Sequence, residues 1–248
     1  MAYDFAGGVT TDRIETTFTA HATQRSYALW TYRSGIGGGG LARLFDKRDG
    51  GAEVEYLVAN DASNVYFYVR AWSGTDGNWS ITEPALNEWH HILVTYDGGA
   101  TTNDPVIYVD GVSVTVTETS GPTLTIDTNT DKYVIGNRGD GSTANRAWDG
   151  FIAEFAIWNR ILTAAEAAGI GGDGFAPIFY PASLVSYLPL VRELNDYKNA
   201  VATVTGAVVV AHPRIIYPSP AQMRRFTTAA APGVAAQGAW RSLLGVGL

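Results

Sequence analysis

The chain contains no cysteine, and its 248 residues include only two methionines. Without thiols it can form neither disulfides nor thiolate metal sites, so its stability must come from a buried core. No run of eighteen apolar residues occurs, which excludes a hydrophobic membrane-spanning helix. The opening residues Met1-Ala2-Tyr3-Asp4 lack a basic segment followed by an apolar one. No secretory leader is therefore expected, and folding in a cytoplasm suits the missing cysteines too. Acidic residues are absent from 197–248, where Lys198, Arg214, Arg224, Arg225 and Arg241 are the only charges, while 1–196 holds all 24 acids and 12 bases. The net charge of −7 is thus split between an acidic body and a basic end. Such an end is either a loose, solvated tail or a segment that docks on an acidic surface, another copy of its own domain included. Five charges over so long a stretch make a thin footprint for nucleic acid, which is not expected as a partner; nor is a membrane.

What is present is turn chemistry between short alternating segments. Seven Asp-Gly pairs, at 49–50, 76–77, 97–98, 110–111, 140–141, 149–150 and 173–174, supply the positive φ angles of tight hairpins. Between them Val112, Val114 and Val116 alternate with Ser113, Thr115 and Thr117, Ala52, Val54, Tyr56 and Val58 with Glu53, Glu55, Leu57 and Ala59, and Phe151, Ala153, Phe155 and Ile157 with Ile152, Glu154, Ala156 and Trp158. Regular turns and period-two segments predict two packed antiparallel sheets. One helix is expected, where Thr163 and Glu166 make a capping box ahead of Ala164–Ala168, with Gly169 placed to stop it. The Gly/Pro-rich stretch 171–183 marks a boundary. Beyond it Leu184–Leu190 and Val201–Val210 read as further strands. From His212 onward Pro213, Pro218, Pro220 and Pro232 and an alanine-rich stretch read as an extended arm, with Trp240, Leu243 and Leu244 too apolar to idle in solvent.

Four segments in order, Trp89-His90-His91-Ile92-Leu93-Val94-Thr95-Tyr96-Asp97-Gly98, Ile107-Tyr108-Val109-Asp110-Gly111, Tyr133-Val134-Ile135-Gly136-Asn137 and Trp148-Asp149-Gly150-Phe151 through Glu166, resemble the laminin-G-like, concanavalin A-like jelly-roll family. The resemblance covers residue 3 to about 170 and implies an all-β, antiparallel two-sheet jelly-roll sandwich with one short helix and an extended C-terminal arm. Many relatives begin with a strand of the type Leu-Val-x-Tyr-x-Pro-Leu followed by an Asp and a Gly-containing turn. Here Leu184–Leu190, with Asp196 and Gly206 behind, looks like that beginning moved to the end. The expected divisions are a jelly roll over 1–175, strands over 176–212 that complete the same or a neighbouring sandwich, and an arm over 213–248.

The fold hosts lectins, adhesins, glycanases and structural modules alike, so function must come from a site. Glycanases of this type need carboxylates converging on one strand face. Glu53 with Glu55 and Asp149 with Glu154 are the nearest pairs; the first reads as solvent-facing charge and the second differs in strand parity, so no catalytic residue is assigned. His90 and His91 read as part of a structural strand, one ring packed inside and hydrogen-bonded. No cofactor is expected, calcium being the one ion the resemblance allows, with Asp140 and Asn145 as candidate ligands and Asp46 and Asp49 in a second candidate loop. All four equally suit turns and amide caps, and Arg138 and Arg146 beside the first pair argue against a cation. The candidate ligand surface is aromatic: Tyr66, Tyr68, Arg70 and Trp72, followed by Trp79, opposite a core face of Val65, Phe67 and Val69. These rings either stack on a sugar or partner, or form a second core under the C-terminal strands. The arm, through Arg214, Arg224, Arg225, Trp240, Leu243 and Leu244, is expected to dock on other proteins or on copies of the chain. A laminin-G-like domain made in the cytoplasm with such an arm resembles proteins of tailed-phage particles. The expectation is a non-enzymatic virion surface module, on capsid or tail, with cell-surface glycans as its ligands; a lectin-like module without an assembly role is the alternative.

Overall fold

The structure, a computed structural model, describes residues 2–7, 11–49, 52–60, 63–71, 74–123, 131–138, 146–190 and 201–219, without the side chains of residues 49, 52, 53 and 60. Met1–Tyr217 forms one compact unit and Pro218–Leu248 a second, of which only Pro218 and Ser219 are described. The strands are β1 (Ala2–Phe5), β2 (Arg13–Thr16), β3 (Gln24–Arg33), β4 (Leu41–Asp49), β5 (Ala52–Asn60), β6 (Asn64–Val69), β7 (Gly77–Thr82) and β8 (Trp89–Asp97). They continue as β9 (Val106–Val109), β10 (Val112–Ser113), β11 (Thr117–Ser120), β12 (Tyr133–Ile135), β13 (Gly150–Trp158), β14 (Leu184–Leu188), β15 (Ala202–Thr205) and β16 (Val208–Val210).

These strands make two eight-stranded sheets. The first runs β10-β9-β8-β3-β13-β1-β16, with β14 also on β13, and the second runs β11-β7-β6-β5-β4-β12-β2-β15. Every ladder is antiparallel. The sheets stack through alternate side chains, Tyr27, Leu29, Ile92, Val94, Phe155 and Ile157 from one meeting Phe45, Leu57, Phe67, Trp79 and Ile135 from the other. The result is a two-sheet jelly-roll sandwich.

The late strands join the early ones of the same chain. β14 lies against β13, β15 against β2 and β16 against β1. β1 and β14 share one edge of β13, β1 pairing with residues 150–152 and β14 with 155–158. Between them Glu154 takes a positive φ of 55° in a bulge, which switches the strand's parity and turns Phe155 inward beside Ile152 and Ile157.

Local chemistry accounts for the connections. Asp110 and Gly111 sit at φ 51° and 80° between β9 and β10, the left-handed pair a type I′ hairpin requires. The helix α1 (Ala164–Ala167) is opened by Thr163, whose hydroxyl accepts from the Glu166 amide while the Glu166 carboxylate accepts from the Thr163 amide. It does not stop at Gly169. A π-helical turn, Ala168–Gly172, continues it to Asp173, and Gly174 at φ 72° ends it. No helix among the described residues is long and apolar enough to cross a membrane.

Glu55 does not face solvent. It lies fully buried on the inner face with Leu57 and Ala59, because the core-facing residues of β5 are the odd-numbered ones. Arg25 donates to it from Nε at 3.0 Å and from a terminal nitrogen at 2.8 Å, the Tyr27 hydroxyl donates at 2.6 Å, and His21 Nε2 lies at 2.8 Å. Nearby, Lys47 donates to the backbone oxygens of Thr19 and Asp131 at 3.1 and 2.6 Å.

Candidate functional site: the outer face of the second sheet

β6 alternates as its composition requires, with Val65, Phe67 and Val69 in the core and Tyr66, Tyr68 and Arg70 half-buried on the other side. Register sets their neighbours. Tyr68 stands between Tyr56 and Asn78, and Tyr66 between Val58 and Ser80. The Tyr56 and Tyr68 rings stack at 4.3 Å with their planes 13° apart, and the Arg43 guanidinium lies 3.3 Å from the Tyr56 ring centre. Tyr56 is therefore held on both faces, whereas Tyr66 makes no ring contact with a described residue.

Asp76, in the turn before β7, organises one end of this row. Its carboxylate accepts from the Tyr68 hydroxyl and, at 2.9 Å, from the Ala71 amide, and its carbonyl accepts from the Ser120 hydroxyl at 2.7 Å. The Asn78 side-chain oxygen is buried with no donor among the described residues. Arg70 makes no side-chain hydrogen bond to a described residue. The surface thus joins two phenol rings to a guanidinium and an amide oxygen that have no partner among the described residues, and to the small polar Ser80. Flat apolar faces bordered by hydrogen-bonding groups suit ring-shaped, hydroxylated ligands.

Trp79 does not belong to this surface. It pairs with Phe67, so it shares the inner face, is fully buried, and packs on Phe67 and Tyr96 at 6.2 and 5.3 Å. Its Nε1 donates to Asp104 at 2.8 Å, completing a core role. The residues of β7 that do face outward are Asn78, Ser80 and Thr82. Tyr56, Arg43, Asp76, Asn78 and Ser80 were not among the expected site residues; only cross-strand register brings them to Tyr66 and Tyr68. Trp72, Asp140, Asn145, Arg224, Arg225, Trp240, Leu243 and Leu244 lie outside the described residues. Arg214 is described and exposed on the segment after β16.

The remaining candidates for chemistry are structural. Asp46 lies within β4, fully buried, and not in a rim loop, so it does not suit a calcium site. Among the described residues no three of His, Asp or Glu gather as metal ligands. Burial pushes the Glu55 carboxyl up, but Arg25 and His21 outweigh it and hold it at about 2. A carboxylate so bound cannot deliver a proton near neutrality. His91 is buried, but on the outer face of the first sheet against Trp30, its ring centre 5.3 Å away, and beneath the π turn. Its ring Nδ1 has no hydrogen-bond partner among the described residues, contrary to expectation; the residue is tied instead through its backbone amide, which donates to Asp110 at 2.8 Å. Burial lowers its pKa to about 3, although Asp110 pulls the other way. His90 Nδ1 lies 2.7 Å from the second Asp110 oxygen.

Comparison with known proteins agrees with this architecture. A family model described as the concanavalin A-like lectin/glucanases superfamily (Laminin_G_3) matches residues 6–168. Among solved structures, a putative carbohydrate binding protein from Bacteroides ovatus superposes with a TM-score of 0.59 at 19% identity, over 84% of this chain and 58% of that one. The heptameric SAP-like pentraxin from Limulus polyphemus superposes with a TM-score of 0.54 at 13% identity, over 83% of this chain and 95% of that one. At such identities the likeness is one of fold. Comparison with curated proteins finds no match. By the family model and by its two stacked sheets, the chain belongs to the concanavalin A-like lectin/glucanase superfamily, in its laminin-G-type branch.

Proposed function

We propose that the domain is a non-catalytic recognition module and that the outer face of its second sheet binds a glycan. The observation that carries this reading is the half-buried Tyr66–Tyr68 pair bordered by Arg70, Asn78 and Ser80. Each ring offers an apolar face to sugar C–H groups, and the neighbours offer both donors and acceptors to hydroxyls. The putative carbohydrate binding protein among its structural neighbours supports the same class of ligand. The engaged, low-pKa Glu55 supports recognition over hydrolysis, since the nearest candidate acid is committed to the core. Retention of the protein on a glycan array tests the reading, with Tyr66→Ala as the probe because that ring supports no described neighbour. Loss of retention is expected; an array that retains nothing, or retention that survives Tyr66→Ala, sinks it.

A role in a tailed-phage particle is a separate proposal, supported by the acid-free, Pro/Ala-rich residues 218–248, a unit distinct from the sandwich. Protein ending at residue 219 should then fail to join particles that the full chain joins.

A further inference from the structure

On the opposite side of the sandwich, the outer face of the first sheet carries a cavity of about 360 Å³ lined by Trp30, Gly172, Asp173, Gly174, Arg214 and Ile216. Such a volume is that of a small-ligand site. Among the described residues, three of its polar groups are open to a ligand. The Trp30 indole Nε1–H is buried with no acceptor among the described residues, and neither Asp173 nor Arg214 makes a side-chain hydrogen bond to a described residue. Asp173 and Arg214 are exposed at the mouth, whereas the buried indole N–H must be satisfied by water or by a ligand.

One wall is supplied by the segment after β16, and that wall is built. The Ile216 amide donates to the Gly174 carbonyl at 2.8 Å, and the Ala176 amide donates to the Ile216 carbonyl at 2.9 Å, a parallel bridge to Phe175. On either side of Arg214 the segment is clamped to the buried Glu154. The Tyr217 hydroxyl donates to that carboxylate, and His212 Nε2 lies 2.9 Å from it. The backbone that carries Arg214 and Ile216 is thus held in place before any ligand arrives, which removes part of the ordering cost from binding.

We propose that this cavity is a second ligand site and that it takes an acidic sugar, a hexuronate or the end unit of a chain that carries one. The chemistry follows from the lining. Arg214 presents a planar fork for a carboxylate, Asp173 accepts from ring hydroxyls, Trp30 Nε1–H donates to a sugar oxygen, and the indole offers an apolar face to the ring. A neutral hexose leaves Arg214 unmatched, and a bare carboxylate leaves Asp173 and the indole unmatched. The site rests on different residues from the second-sheet surface, so either can stand without the other.

Calorimetric titration of the full chain with glucuronate tests the assignment, against glucose, acetate and glycine at equal concentration. Glucuronate should bind at least tenfold more tightly than any of the three, and Arg214→Ala should weaken it tenfold or more. Gly172→Leu guards against a folding artefact. A Cβ there meets only the Asp110 carbonyl, at 3.6 Å, so this variant should keep its thermal midpoint while filling the cavity and abolishing binding. Equal binding of glucose overturns the acidic assignment. Competition by acetate or glycine at the strength of glucuronate overturns the sugar assignment. Binding that survives both variants overturns the site. Array retention through Tyr66 is a separate readout, so failure of the second-sheet reading is told apart from failure here.

Discussion

Glu55 and Glu154 are both buried carboxylates, one between the sheets and one on the outer face of the first sheet, and different chemistry satisfies them. Glu55 on β5 is met by Arg25 and Tyr27 from β3, with His21 from the loop before it, so the ion pair ties one sheet to the other across the core. Glu154, at the bulge of β13, is met by the Tyr187 hydroxyl of β14 at 2.5 Å and by Tyr217 and His212 of the C-terminal segment. The first site has a permanently charged partner on a central strand. The second has two phenols and a histidine, two of the three on a segment that crosses the face without joining a sheet. The interior pair therefore reports on whether the sandwich is folded, and the outer one on whether the segment is docked.

The largest effect should come from breaking the interior pair on one side only. Arg25→Met leaves Glu55 charged and buried, at a cost of about 3–5 kcal/mol in denaturant unfolding. Adding Glu55→Leu should recover most of that loss, because the remaining partners are neutral or weakly basic and the site then packs as ordinary core. A double variant no more stable than the single one would show that the pair does more than satisfy its own charges.

Acid should separate the two regions by pH. Glu55 has a folded pKa of about 2 against an ordinary 4.5, so the folded state binds its proton less readily than the unfolded chain. Its contribution is complete above pH 4.5 and is lost as pH falls toward 2. His91, on the outer face of the first sheet, falls to about 3 from 6.5, so its loss starts earlier, below pH 6.5, and reaches about 2 kcal/mol at pH 5. His91→Leu should make the stability profile shallower between pH 6.5 and 5, leaving the share of His21, whose pKa burial also lowers, and should keep the fall below pH 4.5 in place. A profile unchanged above pH 5 in that variant would mean that the ring takes up its proton as readily folded as unfolded.

These two regions also mark where the sequence is readable. Val65, Phe67 and Val69 against Tyr66, Tyr68 and Arg70 is a local pattern, and the Thr163–Glu166 capping box and the Asp110-Gly111 hairpin are local too; all three appear as expected. Trp79 was misplaced because its side depends on the register of β7 against β6, which sets it opposite Phe67. Glu55 was misplaced because a carboxylate reads as solvent-facing until its partners are known, and Arg25 and His21 lie 30 and 34 residues away in the chain. The same applies to the candidate site. Tyr66, Tyr68 and Arg70 follow from one strand, whereas Arg43, Tyr56 and Asn78 need the bulged pairing of β4 with β5 and the ladder from β5 to β7.

The smallest effect should come from the Glu154 clamp, and it should be local. Tyr217→Phe removes one donor and leaves Tyr187 and His212 at the carboxylate, while the Ile216 bridge still holds the segment to residues 174–176. The net cost of one such hydrogen bond is about 1 kcal/mol, too little to move the unfolding of a sandwich whose strands do not depend on it. It is enough to raise the undocked population of the segment about fivefold. Limited proteolysis within residues 211–219 should therefore quicken by about that factor while the thermal midpoint stays put. If both move together, the segment is part of the cooperative core, and the distinction between the two carboxylates disappears.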